Sequence, residues 1–310
     1  MSLKNVLLLY SMIFNTLDTL PTAYGEKRKA PCSHSRKRSN MMINPLQLKH
    51  LNRMDENDAD MITLNLEDAI APSRKKEALH NIALFLSYME HSNSLIIVRT
   101  NPLNEGGAEE ITFLNDFSFD AIRVAKIKKQ TEIAQALTLL SDDKELHISL
   151  ETKEAFENLS TLRIDERLTT ANIGILDLLT SLGLPQSIVT LGNPTIDYIL
   201  SKFLVDAKTA GIHPISFMFQ EYNDTETFKS WCEHEKMMGF KSKACMGPKQ
   251  VAIANQIFTT NNEILIRAKH IKEIFEKESA KNNNGFMDDT YGFIDEPIYR
   301  DALLLLKGHN

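Results

Sequence analysis

Short apolar runs recur from residue 39 to residue 246, each bounded by polar or turn-forming positions. Eight of them have strand length: 39–43 (SNMMI), 61–66 (MITLNL), 94–99 (SLIIVR), 121–126 (AIRVAK), 146–151 (LHISLE), 171–176 (ANIGIL), 212–218 and 242–246 (SKACM). The segments between them carry a helical period. Ala78, Leu79, Ile82, Ala83, Leu86 and Met89 repeat at that spacing, as do Ile133, Leu137 and Leu140. Tyr198, Phe203 and Ala207 follow it less cleanly. Eight strands alternating with helices at intervals of roughly 25 residues predict an α/β fold, a (β/α)8 TIM barrel. A doubly wound sheet fits the same pattern. It is disfavoured because no Gly-rich phosphate loop follows the first strand. Past the eighth strand come a helical run from Gln250 to Lys277 and an Asn-rich hinge from Lys281 to Gly285. The closing stretch "GFMDDTYGFIDEPIYRDALLLLK" reads as a small helical unit. The expected organisation is an N-terminal extension with a basic linker (1–37), a barrel (38–280) and a C-terminal tail (281–310).

Composition narrows this picture. The 310 residues are ample for one large core, and 43% hydrophobic with 25% charged residues is ordinary for a soluble globular chain. A formal net charge of −6 argues against general nucleic-acid binding. It says nothing about small anionic ligands, which answer to local charge. The three cysteines, Cys32, Cys232 and Cys245, are widely spaced and form no CxxC pair. That usage fits a reducing cytoplasm and offers neither a zinc nor a disulfide framework. No apolar run approaches the ~20 residues of a membrane span. Residues 6–14 (VLLLYSMIF) follow a lysine as a signal core would, but no small-residue cleavage site comes after them. They are expected to form an extra helix on the body. Residues 25–38 (GEKRKAPCSHSRKR) read as a solvated linker.

The chemistry should stand where barrel strands end, at their C-terminal rim. The second strand ends in Glu67-Asp68, the third in Arg99-Thr100-Asn101, the fourth in Lys126, the fifth in Glu151-Thr152 and the sixth near Asp177. The eighth carries Lys243. Carboxylates from several strands beside an arginine and lysines suit a hard cation next to an anionic substrate. Mg2+ takes one or two such carboxylates and leaves its other positions to water and substrate. No His/Cys cluster has zinc spacing, and no G-x-S-x-G elbow is present.

The motifs also come in a familiar order: Arg38-Ser39 before Asn44-Pro45, then "ADMITLNLEDAIAPSRKKEA", "IIVRTNP", "ISLETKEAFENL", "IGILDLLTSLG", "AGIHPI", "GFKSKACMGPKQV" and "YGFIDEPIYRDA". Over residues 38 to 307 the chain resembles the citrate lyase β-subunit-like family, which includes malyl-CoA and citramalyl-CoA lyases. The resemblance implies a (β/α)8 barrel with a C-terminal lid and a Mg2+-dependent carbon–carbon lyase. Its substrates would be an acyl-CoA or acyl-carrier thioester and a small keto acid, in a homo-oligomer such as a trimer or hexamer. It implies Glu151 and Asp177 as metal ligands and Arg99 as a substrate contact. Glu67 and Asp68 would support the site, and Asp295 would serve as the lid's catalytic aspartate. Glu151, Arg38 and Lys126 join Arg99 as substrate-binding candidates. The sequence departs from the family's usual residues at Asn44, Asn65, Ala125, Ser216 and Gly247. A catalytically altered barrel that binds a keto acid and an acyl-CoA thioesterase are therefore alternatives.

Each candidate has a plainer role too. Glu151 and Asp177 could simply favour helix N-termini. Arg99 could pair with Glu67 or Asp68, and Lys126 and Lys243 could be fold-stabilising partners. His147 and His213 lie in apolar strands and read as core histidines, and Trp231 reads as a packing residue. Asp295 could be a helix start, with Pro297 near its first turn.

Overall fold

The computed structural model describes residues 36–89 and 92–307. The expected helix at 6–14 and most of the basic linker lie outside them.

Eight strands form one parallel sheet: β1 (Ser39–Ile43), β2 (Met61–Asn65), β3 (Leu95–Thr100), β4 (Ala121–Val124), β5 (Glu145–Leu150), β6 (Leu168–Ile173), β7 (His213–Ile215) and β8 (Lys243–Cys245). Each pairs with its sequence neighbour from β1 to β7, and β8 pairs with β1. The ring closes just past β7, where Ser216 bridges Lys243. There Ser216 N donates to Ser242 O (3.1 Å) and Ala244 N donates to Ser216 O (3.0 Å). A doubly wound sheet keeps two open edges, so this closure decides for the (β/α)8 barrel.

The helices are α1 (Leu48–Leu51), α2 (Lys75–Tyr88), α3 (Gly107–Leu114), α4 (Gln130–Leu139), α5 (Lys153–Asn158), α6 (Ile175–Leu182), α7 (Pro194–Thr209), α8 (Thr225–Met238) and α9 (Pro248–Phe258). They fill the crossovers that parallel strands require. Strands such as β2 (MITLN) are buried at every position, since one face meets helices and the other the barrel interior. The outward face packs with Ala78, Ile82 and Leu86 of α2 and with matching stripes on the other helices. The inward face starts apolar, with Met61, Ile97, Ala121, Ile215 and Ala244 in one cluster. Two to four residues further along β2, β3 and β4 the inward positions turn polar: Asn65, Arg99 and Arg123, all buried. That change of character prepares the site.

Residues 259–307 form a second compact unit. It contains α10 (Asn262–Ser279), the antiparallel hairpin β9 (Gly285–Asp288) and β10 (Gly292–Asp295), and α11 (Glu296–Lys307). Ala268, Ile271, Phe275, Ile294 and Ala302 make its core, and the Phe275 and Tyr299 rings stack at 4.4 Å.

Four expectations need correction. The sixth strand is 168–173, three residues earlier than 171–176, because Ile175 and Leu176 already start α6. Tyr198 is 63% exposed; the buried stripe of α7 runs through Ile196, Ile199, Leu200, Phe203 and Ala207. The helical run 250–277 is broken after Phe258, and Asn261 Oδ1 accepts from Glu263 N (3.0 Å) to start a new helix. The tail is not purely helical. Asp288 Oδ1 accepts from Thr290 N (3.0 Å) and Tyr291 N (2.8 Å), folding the turn of a hairpin that Gly292 completes at φ 77°.

Candidate active site

A cavity of about 590 Å3 opens at the C-terminal ends of the strands. Asn65, Arg99, Arg123, Ser149, Glu151 and Asn172 reach it from the strands or their ends, and Asp68, Gly174 and Asp177 from the loops and helix that follow. Its size suits a small-molecule site.

Five of the expected side chains make one network. Arg99 Nη2 lies 2.5 Å from Glu151 Oε1 and 2.9 Å from Glu67 Oε2. Lys126 Nζ lies 2.9 Å from Glu67 Oε1 and 3.2 Å from Asp68 Oδ1. Lys126 N donates to Glu151 Oε2 (3.3 Å), and Asp68 N donates to Glu67 Oε2 (2.7 Å). Lys126 holds a left-handed φ of 53°, an uncommon state for a residue with a side chain. The same residue thus offers its backbone to Glu151 and its ammonium to Glu67 and Asp68. The adjacent Glu67 and Asp68 are divided in role: Glu67 is buried between two cations, while Asp68 faces the cavity.

Burial raises the Glu67 and Glu151 carboxyls above their usual range; Arg99 opposes this in both. Asp177 and Asp68 push Glu151 further the same way by like-charge repulsion. Burial works against the Lys126 ammonium, yet Glu67 and Asp68 outweigh it and raise its pKa. For Asp68, bonds to Glu67 and Lys126 outweigh burial and lower it.

The donor set fits Mg2+. Among the described residues no cluster of three or more His, Cys, Asp or Glu gathers as a metal cage. Mg2+ asks for only one or two carboxylates, and here Glu151 and Asp177 face one cavity and repel each other electrostatically. Room for Glu151 is made by Gly174. A Cβ there would stand 2.4 Å from Glu151 Cγ and 2.7 Å from its Oε1. Glu151 follows β5 directly, and Thr152 caps α5 by accepting from Ala155 N (3.3 Å). Asp177 sits in the first turn of α6, whose N-cap is Gly174.

The chain's relatives agree with this reading of the fold. The family model for HpcH/HpaI aldolase/citrate lyase matches residues 38–248. The chain belongs to that family. It is 27% identical over 225 residues to a (3S)-malyl-CoA thioesterase of Cereibacter sphaeroides (strain ATCC 17025 / ATH 2.4.3), covering 71% of this chain and 76% of the relative. It is 23% identical over 259 residues to an L-malyl-CoA/β-methylmalyl-CoA lyase of Rhodobacter capsulatus, covering 74% and 81%. Among solved structures it is similar in fold to the Mycobacterium tuberculosis protein CitE in complex with magnesium, acetoacetate and coenzyme A. That match has a TM-score of 0.67 and 17% identity, over 88% of this chain and 98% of the other.

Within this family member, two candidates in the barrel, Arg38 and Lys243, fall away from the rim network. Arg38 precedes β1, at the opposite end of the barrel strands. There it binds Asp60 through Nε (2.8 Å), Nη2 (2.9 Å) and its backbone N (2.8 Å). Lys243 is fully buried, with Nζ 2.5 Å from Glu235 Oε1 and 3.5 Å from the centre of the Phe217 ring, so its role is structural. Asp295 ends β10 in the second unit, and its Oδ1 accepts from Ile298 N (3.3 Å). His147 is buried and His213 half-buried, with Nε2 at 3.1 Å from Glu145 and 2.6 Å from Ser242 Oγ. Trp231 packs edge-on to Phe217. Cys232 and Cys245 are buried free thiols, and burial pushes Cys232 up to about 12. No helix among the described residues is long and apolar enough to cross a membrane.

Strand ends alone did not reveal Arg123, Ser149, Asn172 or Gly174. The first three stand inside strands, where a charge or amide within an apolar run (AIRVAK, ANIGIL) was the available signal.

Proposed function

We propose that this chain is a Mg2+-dependent carbon–carbon lyase, or the condensing enzyme of the reverse direction, acting on a short 3-hydroxyacyl thioester. The observation that carries the reading is the pairing of Glu151 and Asp177 on one cavity with Arg99 bonded to the first. Those two carboxylates would hold the cation, which when bound supplies positive charge to a developing enolate or carbonyl oxygen.

The protein's own groups do the remaining work. Arg99 turns one Nη to Glu151 and Glu67 and keeps a buried Nε with no partner among the described residues. Its planar fork is suited to a substrate carboxylate. Glu67, gripped by Arg99 and Lys126, fixes that orientation. In cleavage the 3-hydroxyl gives up its proton as the bond between C2 and C3 breaks. The hydroxyl-bearing carbon becomes the carbonyl of an oxo acid, and the electron pair stays on the acyl α-carbon as an enolate that then takes a proton. Asp295 is the proposed proton-transfer group, supplied by a neighbouring copy in a trimer or hexamer. The thioester is carried by CoA or an acyl carrier; the CoA esters in the relatives' names support the former. Binding tests the ligand set. Glu151→Ala should abolish Mg2+-dependent binding of an oxo acid in calorimetry while the chain stays folded. Unchanged binding rejects the assignment.

A second reading is hydrolysis of the thioester on the same scaffold. Its support is the malyl-CoA thioesterase among the relatives. The two differ in product: a lyase leaves an acyl thioester and an oxo acid, a thioesterase leaves free thiol and a hydroxy acid.

A further inference from the structure

The reaction just described leaves Arg123 unused. It stands on β4, in register with Arg99 on β3 and His147 on β5. Only 3% of its surface is exposed, yet it lines the cavity. Among the described residues it makes no ion pair, and its Nε has no hydrogen-bond partner. Burial, helped by the charge of Arg99, pulls it down to about 9, so it is still a cation at neutral pH. Glu151 and Glu67 act on it only through space. A second orphan lines the same cavity. Asn172 on β6 is buried, and among the described residues neither its Oδ1 nor its Nδ2 has a partner. It faces Ser149 across the β5–β6 ladder, two residues before Glu151 and so deeper in the barrel.

A buried charge and a buried amide without partners are expensive in a folded protein. They are retained where a ligand completes them. We propose that Arg123 and Asn172 form a second anion subsite on the cavity floor, which selects oxo acids bearing a carboxylate at each end. This rests on the lyase reading, in which one end of the oxo acid lies with Glu151, Asp177 and Arg99 at the rim. The far carboxylate then reaches the floor, accepting from the Arg123 guanidinium and from Asn172 Nδ2. A monocarboxylic oxo acid leaves both groups unsatisfied, so the floor discriminates against it.

Calorimetry with Mg2+ present, comparing freshly dissolved oxaloacetate with pyruvate, tests the subsite, since the two acids differ by the far carboxylate. The wild-type chain should favour oxaloacetate by about ten- to a hundredfold, the range of one charge-assisted contact. Arg123→Gln should erase that preference and leave pyruvate affinity within about twofold. Asn172→Leu should reduce the preference in part, and it carries the test if Arg123→Gln does not fold. Equal weakening of both acids, an unchanged ratio, or a wild-type chain without the preference overturns the subsite and leaves the lyase reading standing. A wild-type chain that binds neither acid overturns both.

Discussion

Gly174→Ala probes how tightly Glu151 is held. The Gly174 backbone, at φ −91° and ψ 82°, suits alanine, so the substitution acts through its methyl group alone. That methyl would lie 2.4 Å from Glu151 Cγ and 3.0 Å from its Cδ. Carbon atoms rest at about 3.5–4.0 Å, so Glu151 must retreat by about 1 Å or change rotamer. It has little freedom to do so, because it is 5% exposed, with Oε1 2.5 Å from Arg99 and Oε2 3.3 Å from Lys126 N. Separating a buried pair costs ~3–5 kcal/mol when a charge is left uncompensated. Glu67 stays on Arg99, which keeps the loss toward the low end, and the stiffer unfolded chain returns ~0.4–1 kcal/mol. The expected net loss is ~2–4 kcal/mol in urea unfolding, with weakened Mg2+ binding in calorimetry. Stability within about 0.5 kcal/mol of wild type, with metal binding intact, would refute the reasoning.

Acid should weaken the fold early. Burial holds His147 to about 4 and His213 to about 3, so between those values and ~6.5 the unfolded chain binds protons that the folded chain refuses. Stability is then full above that upper limit and falls as pH drops below it. Urea midpoints measured from pH 7 to 5 should decline, with less decline in His147→Gln; a flat profile contradicts the burial. The lid role of Asp295 is tested by mixing Glu151→Ala chains with Asp295→Ala chains under subunit exchange. Regained activity supports sharing between copies, and inactivity of verified mixed oligomers removes it.

The barrel was readable because its strands are buried on both faces and so stand out as eight apolar runs. Boundaries were harder where one apolar run crosses an element border. In "ANIGIL" the strand ends at Ile173 and the helix begins at Ile175, and no polar residue marks the change. The hairpin at 285–295 was missed because its strands are four residues each and half exposed, too short for a period to show. The rim network was largely legible: Glu67, Asp68, Arg99, Lys126, Glu151 and Asp177 all follow strand ends and gather where the barrel predicts. Arg38 came in with the motif alone, although its place just before the strand at 39–43 already puts it at the opposite end from the rim. Arg123 and Asn172 were missed. Only the closed barrel shows that their side chains face a shared cavity with polar atoms left unpartnered among the described residues.

The most direct test of the central claim is product analysis with citryl-CoA, malyl-CoA and citramalyl-CoA, which would yield oxaloacetate, glyoxylate and pyruvate respectively, with Mg2+ and with a chelator, by mass spectrometry of both halves of the substrate. The account predicts acetyl-CoA and an oxo acid in equal amounts from one of these thioesters, lost on chelation and in Asp177→Asn. Free CoA with an intact hydroxy acid, or acetyl-CoA release indifferent to Mg2+, would contradict it.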